Sequence, residues 1–337
     1  MKKYNLYLHL GFPRTGSKTL QFHLFPLHKQ INYIGRFPRK KETHLKFINQ
    51  LISYSNSEFE EKKQSILAEF NNIKFFEDKI NLISDEFIIL NQCIYNYEAT
   101  VERTIKRLYE ICDDKNVGLK IFFNIRNQKD IISSLYYATN PEFENSLKFT
   151  SIELIDYIKL KKKNSHIFNF LEVFNYDKII NKIEKIIGEE NLKIFIYEEL
   201  KDNKKLYIKN LSNYLNIDPL EAEELLKNKH EHKKEEYINE ETSINSQFNI
   251  IKVKFIKNFV KFKLNPMRIK QYFKNLIRIL KTKSKLSSSE KKDRKELLKK
   301  SIELISQNDL TIKNFFKNSN KNLSSKVNLN NQSKYFF

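Results

Sequence analysis

The chain contains no tryptophan, two cysteines, two methionines and five glycines in 337 residues. Cys93 and Cys112 are too few for a disulfide framework, which points to a reducing compartment. No apolar run approaches the roughly 18 residues needed to cross a bilayer as a helix. The first ten residues have neither the apolar core nor the small-residue cleavage site of a signal peptide. No His/Cys cluster has ligand spacing, so no bound metal is expected. Together these absences predict a cytoplasmic protein, at most peripheral at the inner membrane face.

Apolar residues make up 40% of the chain and aromatics 13%, all of the latter Phe and Tyr, enough for a sizeable core. The formal net charge is +20 and is unevenly spread. Residues 251–300 hold 18 Lys/Arg against 3 acidic residues. Such a stretch suits a polyanionic partner such as an acidic glycan or an anionic membrane surface, or it forms a solvated face that keeps the protein soluble.

Short β-branched and aromatic runs predict buried strands at Asn5–Leu10, Ile80–Ser84, Leu119–Ile125 and Asn191–Tyr197. Helical patterns fall at Thr19–His28, Asp130–Ala138, Ile152–Lys161, Asp177–Ile187 and Leu206–Leu215. Strands alternating with helices predict an α/β fold: a central parallel sheet flanked by helices in three layers. Residues 1–225 are expected to form this domain. Residues 226–337 are expected to be a basic helical extension packed on it, with helices across 250–285, a Ser-rich linker at Ser287–Ser289, and a final helix pair across 290–317. In such sheets ligands bind beyond the carboxyl ends of the strands, so the residues after each strand matter most.

The first strand leads into Gly11-Phe12-Pro13-Arg14-Thr15-Gly16-Ser17-Lys18-Thr19-Leu20, which holds two of the five glycines. Glycine permits the turn to aim its amides inward, and the following helix offers unpaired N–H groups and a positive dipole end. Arg14, Ser17, Lys18 and Thr19 add charge and hydroxyl donors, so the segment reads as a cradle for a phosphate-like anion. The competing pattern is the nucleoside-triphosphate loop G-x-x-x-x-G-K-[ST]. Here Ser17 follows Gly16 and the lysine comes one place late, off the β/γ-phosphate position.

The third of the expected strands ends in Arg126-Asn127-Gln128-Lys129-Asp130, and Ser134 lies on the second turn of the helix that follows. Asn127 is a good N-cap, with Asp130 completing a capping-box-like start. An arginine and a hydroxyl so placed can clamp a second phosphate from the side. An arginine there can equally be a salt-bridge partner.

Taken together, the two motifs resemble those of the sulfotransferase family. Pro13, Arg14, Thr15, Gly16, Ser17 and Leu20 match its donor loop, P-[KR]-[ST]-G-[TS]-x-x-L. Arg126, Asn127, Asp130, Ser134 and Tyr136 match its R-N-P-x-[DE]-x-x-x-S-x-Y motif, with Gln128 replacing the proline. Tyr197-Glu198-Glu199-Leu200 resembles its Y-E-[DE]-L, and Ser84-Asp85-Glu86 resembles a strand-end S-x-E. Asn320-Lys321-Asn322-Leu323 through Tyr335-Phe336 is similar to its chain ending. Lys18 departs from the usual Ser or Thr. The glycine-rich C-terminal nucleotide loop of cytosolic members is absent, so the likeness is to bacterial and heparan-type glycan enzymes.

The resemblance implies transfer of a sulfuryl group from 3′-phosphoadenosine 5′-phosphosulfate (PAPS) to a hydroxyl or amine of a carbohydrate or glycolipid acceptor, with no nucleic-acid partner. By analogy, Arg14, Thr15, Gly16, Ser17, Lys18 and Thr19 hold the 5′-phosphosulfate, Arg126 and Ser134 the 3′-phosphate, and Tyr197 sits by the adenine. Arg14 also neutralises the leaving phosphate. The acceptor's proton requires a base. The family's glutamate downstream of the loop corresponds to Glu42, with His44 second and Glu86 third. His9, inside a strand, is expected to be a core histidine. A P-loop kinase or NTPase, and a non-catalytic polyanion-binding protein on the same fold, are the alternatives.

Overall fold

The computed structural model describes residues 2–35, 46–90, 100–132, 134, 173–227, 229, 303 and 309–327. The chain divides into two compact units, residues 1–231 with 301–337 and residues 232–300. The second unit lies outside the described residues, as does the basic stretch 251–300. Residues 309–327 belong to the first unit.

In chain order the first unit contains β1 (Tyr4–His9), α1 (Ser17–His23), β2 (Ile31–Tyr33), α2 (Lys46–Ser53), α3 (Asn56–Asn71), β3 (Ile80–Ser84) and α4 (Phe87–Leu90). It continues with α5 (Val101–Asp114), β4 (Val117–Ile125), α6 (Tyr176–Ile187), β5 (Leu192–Ile196), α7 (Tyr197–Asp202), α8 (Lys204–Leu215), α9 (Pro219–Leu226) and α10 (Asp309–Leu323). The five strands form one parallel sheet in the order β2-β3-β1-β4-β5.

Two buried clusters cover the two faces of this sheet. Alternate strand residues point to opposite faces, so Leu6 and Leu8 of β1 and Ile121 and Phe123 of β4 share one cluster with α2, α3, α5, α6 and α10. Tyr7 and Phe122 point the other way, toward α1, α8 and α9. The expected three-layer α/β arrangement is the one observed.

Local signals set several helix starts. Ser55 and Glu58 form a reciprocal capping box at α3. Thr100 caps α5 by accepting from the Arg103 amide. Arg107 is buried on α5 and donates to the carbonyls of Leu51, Tyr54 and Ser55 and to Asn56 Oδ1, fastening the α2–α3 turn to α5. Among the described residues no helix is long and apolar enough to cross a membrane.

β1 is central, and its chain end faces a strand on either side. Leu10 and Phe12 continue the pairing with β4 through N–H···O bonds to Phe122 and Asn124. On the other flank the Asp85 amide donates to the His9 carbonyl. The segment leaving β1 is therefore pinned as far as Phe12, and the free turn begins at Pro13.

Candidate phosphate-binding site

Residues 13–16 form a tight turn in which Arg14 (φ 67°) and Gly16 (φ 81°) both adopt left-handed backbone. Alternation of this kind directs successive amides toward a common point. Among the described residues, the backbone N–H groups of Arg14, Thr15, Gly16, Ser17 and Lys18 donate no hydrogen bond. Gly16 is required for two reasons. Its φ disfavours any Cβ, and a Cβ there would meet Leu200 Cδ2 at 2.7 Å and the Tyr197 ring at 3.4 Å.

The hydroxyls of Thr15 and Ser17 both donate to the carbonyl of Phe12, at 2.6 and 3.0 Å. These side chains shape the turn, and their amides remain as donors for an anion. Asn124, fully buried near the end of β4, holds the turn from below. Its Nδ2 donates to the Thr15 carbonyl at 3.0 Å, and its Oδ1 accepts from the Tyr207 hydroxyl at 2.8 Å. Sequence reasoning passed over Asn124, although a lone amide inside the apolar run LKIFFNI was the available signal.

The second motif meets the first at this turn. Arg14 Nε donates to Ser134 Oγ at 2.9 Å, and Arg126 Nη1 donates to the Arg14 carbonyl at 3.0 Å. The Arg126 guanidinium lies 4.8 Å from the centre of the Tyr197 ring, in cation–π contact. Tyr197 thus stands between the two motifs, with one part of its ring against Gly16 and its face under Arg126. Arg14, Lys18 and Arg126 are all partly exposed, and among the described residues none has a carboxylate partner.

Arg126 is held by its own backbone. The Tyr176 hydroxyl donates to the Arg126 carbonyl at 2.7 Å, and Glu198 Oε1 accepts from the Asn127 amide at 3.1 Å. Asn127 Oδ1 caps the following helical residues 128–132 by accepting from the Asp130 amide. This is the N-cap expected from the sequence.

Of the three candidate bases, Glu42 and His44 lie outside the described residues. Glu86 follows β3, partly exposed, with its Cβ 3.3 Å from where a Cβ on Gly11 would sit, so it borders the start of the turn. Tyr136 also lies outside the described residues. Thr19 is buried on α1. His9 is fully buried between Phe25 and Phe122, with Nδ1 2.7 Å from Ser84 Oγ, and desolvation lowers its pKa to about 3. It is a neutral core histidine, as the strand context predicts. Among the described residues no group of three or more His, Cys, Asp or Glu could hold a metal ion.

The fold and site define an α/β protein with a basic, amide-lined turn at the head of its central strand. No family model and no curated protein matches the chain. Two solved structures similar to it are sulfotransferases. One, from Alicyclobacillus acidocaldarius, is 16% identical with a TM-score of 0.43, over 65% of this chain and 83% of that one. The other, a mouse sulfotransferase complexed with PAP, is 17% identical with a TM-score of 0.32, over 67% of this chain and 64% of that one.

Proposed function

We propose that the chain is a sulfotransferase that moves a sulfuryl group from PAPS to a hydroxyl or amine of a carbohydrate or glycolipid acceptor. The observation that carries this reading is the junction of the two motifs. Arg126 donates to the Arg14 carbonyl and Arg14 to Ser134, beside five turn amides that donate no hydrogen bond among the described residues. A doubly phosphorylated nucleotide needs two cationic grips with an apolar surface between them for the base. Arg14 with the amides of the turn supplies the first grip, Arg126 with Ser134 the second, and Tyr197 the surface between.

Sulfuryl transfer, like phosphoryl transfer, depends on in-line positioning and on stabilising charge at the bridging oxygen. The acceptor oxygen or nitrogen forms a bond to sulfur as the bond from sulfur to the bridging phosphate oxygen breaks. Arg14, Lys18 and the amides of Gly16 and Ser17 neutralise the charge that develops on the departing adenosine 3′,5′-bisphosphate. The acceptor proton passes to a carboxylate or imidazole: Glu42 by the family pattern, with His44 and Glu86 as the other candidates. Glu86 is supported by its place beside Gly11.

The direct test is turnover of sulfur-labelled PAPS by the full chain against a panel of glycans and glycolipids. Label transferred to at least one acceptor supports the proposal. Tight nucleotide binding without transfer to any acceptor favours a non-catalytic polyanion-binding protein.

A further inference from the structure

The Arg126 side chain is partly exposed, yet its backbone is fixed by residues that belong to neither nucleotide motif. Three contacts converge on residues 126–128. The Tyr176 hydroxyl holds the Arg126 carbonyl, Glu198 holds the Asn127 amide, and the buried Gln128 side chain is paired amide-to-amide with Asn320. In that pair Gln128 Nε2 donates to Asn320 Oδ1 at 2.6 Å, and Asn320 Nδ2 donates back to Gln128 Oε1 at 3.3 Å. Gln128 and Asn320 are 192 residues apart in sequence and almost wholly buried.

The same stretch of α10 also holds the residue next to Tyr176. Asp177 is buried in the first turn of α6, and its carboxylate accepts from Ser319 Oγ and from Asn322 Nδ2, the latter at 3.0 Å. One turn of α10 therefore reaches Arg126 by two routes. One runs through Asn320 and Gln128, the other through Ser319, Asn322, Asp177 and Tyr176. The first residue of a helix is a position where proline is favoured because its φ is already fixed. Gln128 occupies that position without this restriction, and its place is set by the distant asparagine.

We propose that α10 is a positioning element for the second phosphate grip, with Asn320, Asp177 and Tyr176 setting where the Arg126 guanidinium stands. The inference rests on the sulfotransferase reading, because it assigns Arg126 to the 3′-phosphate. It adds that this contact is built from the C-terminal part of the chain, so discrimination between nucleotides with and without a 3′-phosphate depends on residues that touch neither.

The experiment compares the affinity of the full chain for adenosine 3′,5′-bisphosphate and for adenosine 5′-monophosphate, which lacks the 3′-phosphate. Wild type is measured beside Asn320→Leu and Tyr176→Phe. A general structural defect lowers both affinities together, whereas a displaced Arg126 removes only the 3′-phosphate contribution. The expected result is a fall in the ratio of the two affinities of about tenfold or more in each variant, the scale of one charge-assisted hydrogen bond, with monophosphate binding nearly unchanged. A ratio equal to that of wild type overturns the inference. Should Asn320→Leu not fold, Tyr176→Phe decides by the same ratio, since it removes one hydroxyl and keeps the buried ring. If wild type itself shows no preference for the bisphosphate, the failure belongs to the sulfotransferase reading and not to the role of α10.

Discussion

Arg126 donates a hydrogen bond from its guanidinium to the backbone carbonyl of Arg14, at 3.0 Å. This contact joins the strand-end arginine of β4 to the turn after β1, and it places the positive charge of one motif at the mouth of the other. The two strands are neighbours in the sheet, so their carboxyl ends open at the same edge.

Removing that charge should cost donor binding directly. Arg126→Ala is expected to weaken adenosine 3′,5′-bisphosphate binding by about 2–5 kcal/mol, the range for truncating one partner of a charged pair that the bound nucleotide itself buries. Calorimetry on the folded variant reads this. Unchanged affinity would mean that the arginine serves only the Tyr197 ring and the Arg14 carbonyl.

Gly16→Ala should damage the turn without touching a charge. The left-handed backbone alone costs about 1–2 kcal/mol for a residue with a Cβ, and the 2.7 Å approach to Leu200 adds to it. The expected outcome is a lower melting temperature together with weaker nucleotide binding. Adding Leu200→Ala should relieve the crowding and leave the backbone strain, so rescue is partial. Full rescue would show that φ at this position is of no consequence.

Asn124→Leu should loosen the turn from beneath. It strands the Thr15 carbonyl and the buried Tyr207 hydroxyl, each of which has an amide partner in Asn124. Leaving such groups unpaired costs about 1–3 kcal/mol each. Urea unfolding should report the loss, and nucleotide affinity should fall with it. A stability equal to wild type would remove Asn124 from the account of the turn.

His9 gives the protein an acid sensitivity with a defined window. Burial lowers its pKa from 6.5 to about 3. Between those values the unfolded chain binds a proton that the folded chain does not. The contribution is therefore complete above pH 6.5 and is lost progressively as pH falls toward 3, with a slope of about 1.4 kcal/mol per pH unit. Urea melts from pH 7 to pH 4.5 should show this slope, and His9→Gln should flatten it. An NMR titration of the His9 ring with a midpoint near 6.5 would contradict the burial.

The general base can be found by substitution. Glu42→Gln is expected to cut turnover by roughly 10²–10⁴ with donor affinity intact. If turnover survives, the same measurement on Glu86→Gln and His44→Gln identifies the base.

Much of the fold was legible because four of the five strands are short, mostly apolar runs with helices between them. β2 was not, since three residues at the sheet edge carry no period. α3 and α5 escaped notice although Ser55, Glu58 and Thr100 offered readable caps. The turn after β1 and the arginine at the end of β4 were legible because their residue types are local: glycines in a turn, an arginine at a strand end. Their meeting was not, and neither were Asn124 and the Gln128–Asn320 pair. These depend on partners that only the folded sheet brings within reach.

The most direct measurement is calorimetric titration of the full chain with adenosine 3′,5′-bisphosphate and, separately, with ATP and Mg²⁺. The bisphosphate is expected to bind without added metal and at least about tenfold tighter than ATP–Mg²⁺, a difference of about 1.4 kcal/mol. Tight metal-dependent binding of ATP, with no measurable affinity for the bisphosphate, would contradict it and turn the site toward phosphoryl transfer.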